Sequence, residues 1–451
     1  MEKKDYLNNV SYLSVDAILN GIRSGIVTFK ELQETGEFTR EKQNQVNSKL
    51  DGYAAEDNAF NSARTLYQLR EFKRNYPNSE HIEEVNAKIV QKEHEEREEQ
   101  RRKYEEIRRN INEYTPDELK SELGEEFLRN LCYDLRIDYD IVNNYDEPYL
   151  SFNDIPQNPD DVPSGFTDVF FWGIPSSGKT CALSAILSTI KSKYTMTNPI
   201  IETKFGATYR DSLVNIFRNE TGYLPAATQK DRTQYMPFLL KKRNEKYYRQ
   251  VSFFELSGEV FKYFYEITNN SRILSESDRD DVEMAFSTLN LLLNSKNQKI
   301  HFFFIDYKQE TKGTKDRNNL TQENYLDAAA TYFRDRNDIF KKRTDAVYVV
   351  VTKSDEIKVD KNKSPEEQTK ERNKVAIEFL DKNFGGFMDV IKHRCSKDSV
   401  NFAVKMFSIG DVYFKKICKI NHRYAEHIVE DLIDTVKPFK EDSWFTKKLK
   451  S

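Results

Sequence analysis

The chain has 451 residues, of which 38% are hydrophobic and 32% charged, with a formal net charge of −4. A length of this order allows roughly two to four domains. The 30 Phe and 25 Tyr supply material for buried cores, and the near-neutral balance argues against a nucleic-acid-binding chain.

In chain order, the opening MEKKDYLNNVSYLSV lacks an apolar core of signal-peptide length. The longest apolar runs, around Val169–Trp172 and Val347–Val351, are strand-length and too short to span a bilayer. Cys132, Cys181, Cys395 and Cys418 are scattered without metal spacing, as reduced thiols would be. A cytoplasmic location is therefore expected. Residues 1–52 read as a small module of three short helices, with Gly25 and Gly36 as stops and Thr28 with Glu31 as a capping box. Residues 53–135 read as a helical hairpin and a long charged helix. Between Gln91 and Asn110 fourteen residues are charged, seven of each sign, with Glu93/Arg97 and Glu105/Arg109 in the favourable i,i+4 order. Thr115-Pro116-Asp117-Glu118 caps a helix expected to run to about Leu135. These helices are expected to contact a protein partner or a second copy. Residues 136–165, rich in Asp, Asn and Pro, read as a linker, and residues 166–451 alternate strand and helix patterns, the texture of an α/β fold.

Val169–Trp172 leads directly into Gly173-Ile-Pro-Ser-Ser-Gly-Lys-Thr180, a complete GxxxxGK[ST] motif, and an amphipathic helix follows. The glycines Gly173 and Gly178 let the backbone turn its N–H groups, including those of Ser176 and Ser177, toward phosphate oxygens. Lys179 is expected at the β- and γ-phosphates, and the Thr180 hydroxyl on Mg²⁺. A second strand ends in Thr352-Lys353-Ser354-Asp355.

Here the chain resembles the P-loop GTPases of the TRAFAC class, whose guanine motif is [NT]KxD. The resemblance implies a mainly parallel six-stranded sheet with flanking helices, preceded by the all-helical N-terminal region, and GTP/GDP with Mg²⁺ as cofactors. Asp355 would accept hydrogen bonds from guanine N1–H and N2–H₂. Adenine would leave that carboxylate facing a lone pair, at a cost of about 1–3 kcal/mol. The stem of Lys353 would lie over the base. The family's DxxG is here Glu255-Leu256-Ser257-Gly258, so Glu255 is expected in the metal's water shell and Gly258 near the γ-phosphate. Glu259 stands where Ras-like enzymes carry a water-orienting Gln, which puts the hydrolysis rate in question. Thr228 is preferred over Thr233 as the switch threonine on Mg²⁺, while Ser408 and Gly410 match a degenerate guanine-contacting loop after the last strand. Arg232, Arg243 and Arg272 are open candidates for an arginine finger. The Gly258-Glu259 pair and the enlarged fourth-strand region resemble the bacterial YcjX-like and double-GTPase-like branch, which implies a conflict or defence setting. Three readings stand open: a slow GTPase switch, a guanine-nucleotide scaffold with little hydrolysis, and a P-loop ATPase in which TKSD is only a helix cap. None of His81, His94, His301, His393, His422 and His427 has metal-site spacing.

Overall fold

The computed structural model describes residues 1–148, 150, 155–156, 158–199, 206–225, 233–340, 343–360 and 362–439. The chain divides into two compact units. One comprises Met1–Arg109 with Glu122–Leu131, and the other Asn110–Ser121 with the residues from Cys132 onward.

The first unit is helical. The short helices Lys3–Asn9, Val15–Arg23 and Phe29–Glu34 are followed by the longer Arg40–Ser62, Leu66–Asn75 and Ile82–Arg109. Thr28 and Glu31 form the reciprocal cap at the third helix, and Gly25 and Gly36 take positive φ where the second and third helices stop. The apolar stripes close on two small cores. Tyr6, Ile18, Leu19, Leu32 and Val46 belong to one, and Phe60, Leu69, Phe72 and Val85 to the other. Gly21 lets the Tyr6 ring pack close on its helix, where a Cβ would lie 2.4 Å from that ring.

In the second unit ten strands occur in order: β1 Thr167–Trp172, β2 Thr195–Thr197, β3 Thr221–Tyr223, β4 Gln234–Lys241, β5 Arg249–Glu255, β6 Gln298–Asp306, β7 Thr344–Thr352, β8 Asn401–Phe407, β9 Gly410–Tyr413 and β10 Ile417–Ile420. The central sheet runs β2-β4-β5-β1-β6-β7-β8. Strands β5, β1, β6, β7 and β8 are parallel, while β4 is antiparallel to β5 and β2 to β4. The six strands expected from the sequence are thus β4, β5, β1, β6, β7 and β8, and the three-residue β2 extends the edge. Strands β3, β10 and β9 form a separate three-stranded antiparallel sheet with no counterpart in the sequence reading. Residues 136–165, expected as a linker, hold the helix Tyr139–Asn143 and the 3₁₀ turn Pro159–Asp161.

Strand alternation explains why both sheet faces are covered. Phe170 and Trp172 of β1 join the core that includes Phe264, Leu289, Phe333 and Phe387. Val169 and Phe171 join the opposite core, with Leu183, Ile186, Leu213 and Ile428. The helix Lys179–Lys193 that follows β1 has Leu183 and Ile186 in this second core, as do Ala207–Ile216 (Leu213) and His422–Thr435 (Ile428). Strand β1 lies between β5 and β6, with β4 and β5 on one side and the later strands on the other. The loop leaving its C-terminal end therefore lies where strand order reverses, the position at which open α/β sheets bind ligands.

Candidate phosphate-binding site

The loop from Gly173 to Gly178 is shaped by residues outside ordinary right-handed backbone space. Ser176 has φ 62° and Gly178 φ 87°. At Gly173 a Cβ would fall 2.6 Å from Ser177 Oγ and 2.9 Å from Phe304 O, so no larger residue fits. Left-handed residues interleaved with ordinary ones make a concave nest of N–H groups. The helix Lys179–Lys193 starts directly from Gly178, which has no side chain to cap it. Its first N–H groups and positive dipole end thus belong to the same concavity.

Lys179 is buried, and its Nζ donates to Gly173 O at 2.7 Å and Ile174 O at 2.9 Å. Burial pushes its pKa down to about 8, against the opposing pull of the Glu255 and Glu259 carboxylates. Glu255, the last residue of β5, is fully buried, with one oxygen accepting from the Thr180 hydroxyl and the other from the Tyr209 hydroxyl. The Tyr209 phenol is held well above its usual pKa by burial and then by the adjacent Glu255 charge. Gly258 packs on the phosphate loop, where a Cβ would lie 2.3 Å from Pro175 N. Glu259, one residue on, pairs with Lys262 at 2.6 Å.

Strand β7 is clasped to the same loop. The Thr352 hydroxyl lies 2.8 Å from Ser177 O and 3.2 Å from Ile305 O. Lys353 follows with φ 53° and ion-pairs with Asp306, a fully buried carboxylate at the end of β6. Asp306 also caps the helix Tyr307–Thr311 through Gln309 N at 3.0 Å.

A cleft of about 290 Å³ opens here, lined by residues 175–181, Pro225, residues 257–259 and Lys353. Of the residues expected at a nucleotide site, Ser176, Ser177, Gly178, Lys179, Thr180, Gly258, Glu259 and Lys353 line it together. Gly173, Thr352 and Glu255 support it through the contacts above. Asp355 is exposed on the turn Ser354–Glu356 and is not part of the lining. Ser408 and Gly410 are not part of it either. Ser408 Oγ accepts Gly410 N–H at 3.2 Å, and Gly410 has φ 115°, with a Cβ there placed 2.0 Å from Lys419 O. Its glycine is thus accounted for by the β9–β10 approach. Thr228 and Arg232 lie outside the described residues. Thr233 is buried, one residue before β4. Arg243 donates to Ser192 O, and Arg272 is exposed. Two participants escaped the sequence reading, Tyr209 and Asp306. Neither carries a local signal, because each reaches its partner from a distant part of the chain.

No family model and no curated protein sequence matches the chain. Among solved structures it aligns with the signal recognition particle receptor SRb-GTP/SRX complex from Chaetomium thermophilum. That alignment has 13% identity and TM-score 0.30, covering 59% of this chain and 99% of the other. It also aligns with the S. cerevisiae Ski7 GTPase-like domain bound to GDP and inorganic phosphate, at 13% identity and TM-score 0.26, covering 54% of this chain and 43% of the other. The same domain bound to GTP aligns at 14% identity and TM-score 0.25, covering 54% and 42%. At these values the likenesses add nothing to the strand order and loop geometry already described.

Proposed function

We propose that this chain binds GTP with Mg²⁺, hydrolyses it slowly, and acts in the cytoplasm as a nucleotide-dependent switch whose state passes through the N-terminal helices to a protein partner or a second copy. The observation that carries the reading is the clasp between Thr352 and the phosphate loop at Ser177 O. It places the TKSD segment at the same end of the sheet as the cradle, so one ligand can meet both. The Thr180 hydroxyl and the Glu255 carboxylate are an all-oxygen pair in direct contact, a donor chemistry that fits Mg²⁺. When bound there, Mg²⁺ would neutralise charge on the phosphate oxygens.

This chain's own residues supply the rest. Lys179 would exchange its two loop carbonyls for phosphate oxygens, at little reorganisation cost because the ammonium is already desolvated and aimed. Gly258 and Pro175 meet without a side chain between them, so an oxygen reaching this turn would be sensed by the loop backbone. Asp355 would select guanine by accepting from N1–H and N2–H₂. Glu259 is engaged with Lys262, which favours slow turnover and keeps a scaffold with little hydrolysis as the second reading. The Gly258-Glu259 pair and the enlarged fourth-strand region support the finer likeness to the YcjX-like and double-GTPase-like branch. Among the described residues no helix is long and apolar enough to cross a membrane.

Binding of fluorescent GTP and ATP analogues to the full chain with Mg²⁺ tests the proposal. Tight GTP binding, weak ATP binding, and loss of the preference in Asp355→Asn are expected. Equal or better ATP binding would overturn the guanine assignment and leave a P-loop ATPase.

A further inference from the structure

We propose that Tyr209 is a positioning residue for the metal-dependent part of nucleotide binding, acting through Glu255; this rests on the nucleotide reading above. The acid at the end of β5 is Glu255. Glutamate is longer than aspartate by one methylene, about 1.5 Å of reach, and has one more rotatable bond. A buried carboxylate with an extra torsion needs something to fix its direction. Here the two oxygens are divided between two hydroxyls, Thr180 on the phosphate-loop helix and Tyr209 on the helix Ala207–Ile216.

Tyr209 is itself held. It is fully buried, and its helix begins at Gly206, with φ 68° and room for no Cβ, since one would lie 2.0 Å from Tyr235 O of β4. The adjacent Arg210 is buried and donates to Asn198 Oδ1 at 2.6 Å. The phenol is therefore aimed by a pinned helix, and its O–H favours the ionised carboxylate. With Tyr209 holding one oxygen, the other stays turned toward Thr180, the hydroxyl expected on the metal. Glu255 and Tyr209 form a matched pair, because the shorter aspartate cannot reach both hydroxyls. The helix carrying Tyr209 lies between the phosphate-loop helix and β4 in the chain. The pair thus ties that segment to the metal-side carboxylate.

The plain alternative is a tyrosine that only fills the core. Tyr209→Phe separates the two, because it keeps the ring and removes the hydroxyl. Binding of a fluorescent GTP analogue to the full chain is measured in EDTA and across a Mg²⁺ titration, alongside thermal melting. The expected result is a Mg²⁺ midpoint raised about tenfold, as loss of one charge-assisted hydrogen bond implies, with metal-free affinity within about twofold of wild type. Glu255→Asp should give the same shift, and the double variant no further one. If Tyr209→Phe does not fold, a structure of the wild type with the GTP analogue and Mg²⁺ decides: a Tyr209 hydroxyl still on Glu255 supports the role, and one turned away from it overturns it. Wild type that binds nucleotide, with an unchanged midpoint in Tyr209→Phe or an equal loss in EDTA, overturns the role of Tyr209 only. Wild type that binds no nucleotide overturns the underlying reading and this inference with it.

Discussion

The two ends of the central sheet both bury charge, but they treat it differently. At the N-terminal end, Asp168 of β1 accepts from Ser295 Oγ at 2.8 Å and Asn297 Nδ2 at 3.1 Å. Lys299 of β6 donates to Asn297 O at 2.8 Å and Ser295 O at 2.9 Å. His301 Nδ1 accepts from Trp172 Nε1 at 3.0 Å. Burial pushes Asp168 up to about 7, Lys299 down to about 8 and His301 down to about 3. At the C-terminal end Lys179 is also pushed down to about 8. A displaced pKa therefore does not tell the two ends apart. Satisfaction of the polar groups does. At the C-terminal end the buried hydroxyls of Ser177 and Ser354 have no hydrogen-bond partner among the described residues. Such unmet polar capacity marks a place built to receive something, whereas Asp168, Lys299 and His301 each find a partner at the other end.

The sharpest way to break this contrast is at Lys299. Lys299→Met would remove the positive charge near Asp168 and leave Asn297 O and Ser295 O short of a donor, and should cost about 1–3 kcal/mol, read by denaturant unfolding. Nucleotide affinity of the folded protein should not change. The same pair gives a pH signature. Asp168 has its folded pKa raised from 3.8 to about 7, so the native state holds an extra proton between about pH 4 and 7, and stability from this group is lost as pH rises through that window. Lys299, lowered from 10.5 to about 8, makes stability rise with pH between about 8 and 10.5. Wild type should therefore lose ground to Asp168→Asn/Lys299→Met as pH rises from about 4 to 7. A pH-independent difference would sink this account of the network.

At the opposite end Lys179→Ala should lower nucleotide affinity about 100-fold, some 2.7 kcal/mol, with the melting temperature unchanged or raised. The two loop carbonyls and the Glu255 and Glu259 charges offset the burial of the ammonium only in part, so its removal relieves a cost that a bound phosphate would otherwise meet. A large loss of stability would instead make Lys179 a structural residue like Lys299.

How much of this was legible in the sequence follows from how far apart the partners are. The phosphate loop is legible because its geometry comes from adjacent residues, with Gly173, Gly178 and Lys179 within seven positions. The core strands are legible because β1, β6 and β7 are apolar on both faces, and the cap at Thr28 because capping is local. Tyr209 meets Glu255 across 46 residues, and Lys353 meets Asp306 across 47. A tyrosine on a helix and an aspartate at a strand end carry no mark of those encounters. The β9–β10 turn places Phe414 and Lys415 at φ 53° and 56°, without the Gly or Asn that signals a tight hairpin, so the second sheet left no trace. Asp168 reads as an ordinary polar strand residue until Ser295 and Asn297 fold over it.

Two serines give the finest test of the contrast. Ser295 donates its hydroxyl to Asp168, and Ser295→Ala should cost about 1–3 kcal/mol by leaving a buried carboxylate short of a donor. Ser177 Oγ is buried and has no hydrogen-bond partner among the described residues, so the cost of its desolvation is already borne by the folded protein. Ser177→Ala should change stability by less than about 0.5 kcal/mol, since nothing is lost when an unpaired hydroxyl goes. The same substitution should weaken nucleotide binding about two- to tenfold, because a phosphate oxygen would be that hydroxyl's first partner. Melting curves and titrations on the two variants decide the matter. If Ser177→Ala destabilises the protein as Ser295→Ala does, the phosphate loop is a closed network like the one below it, and its unmet hydroxyl is not a sign of a missing ligand.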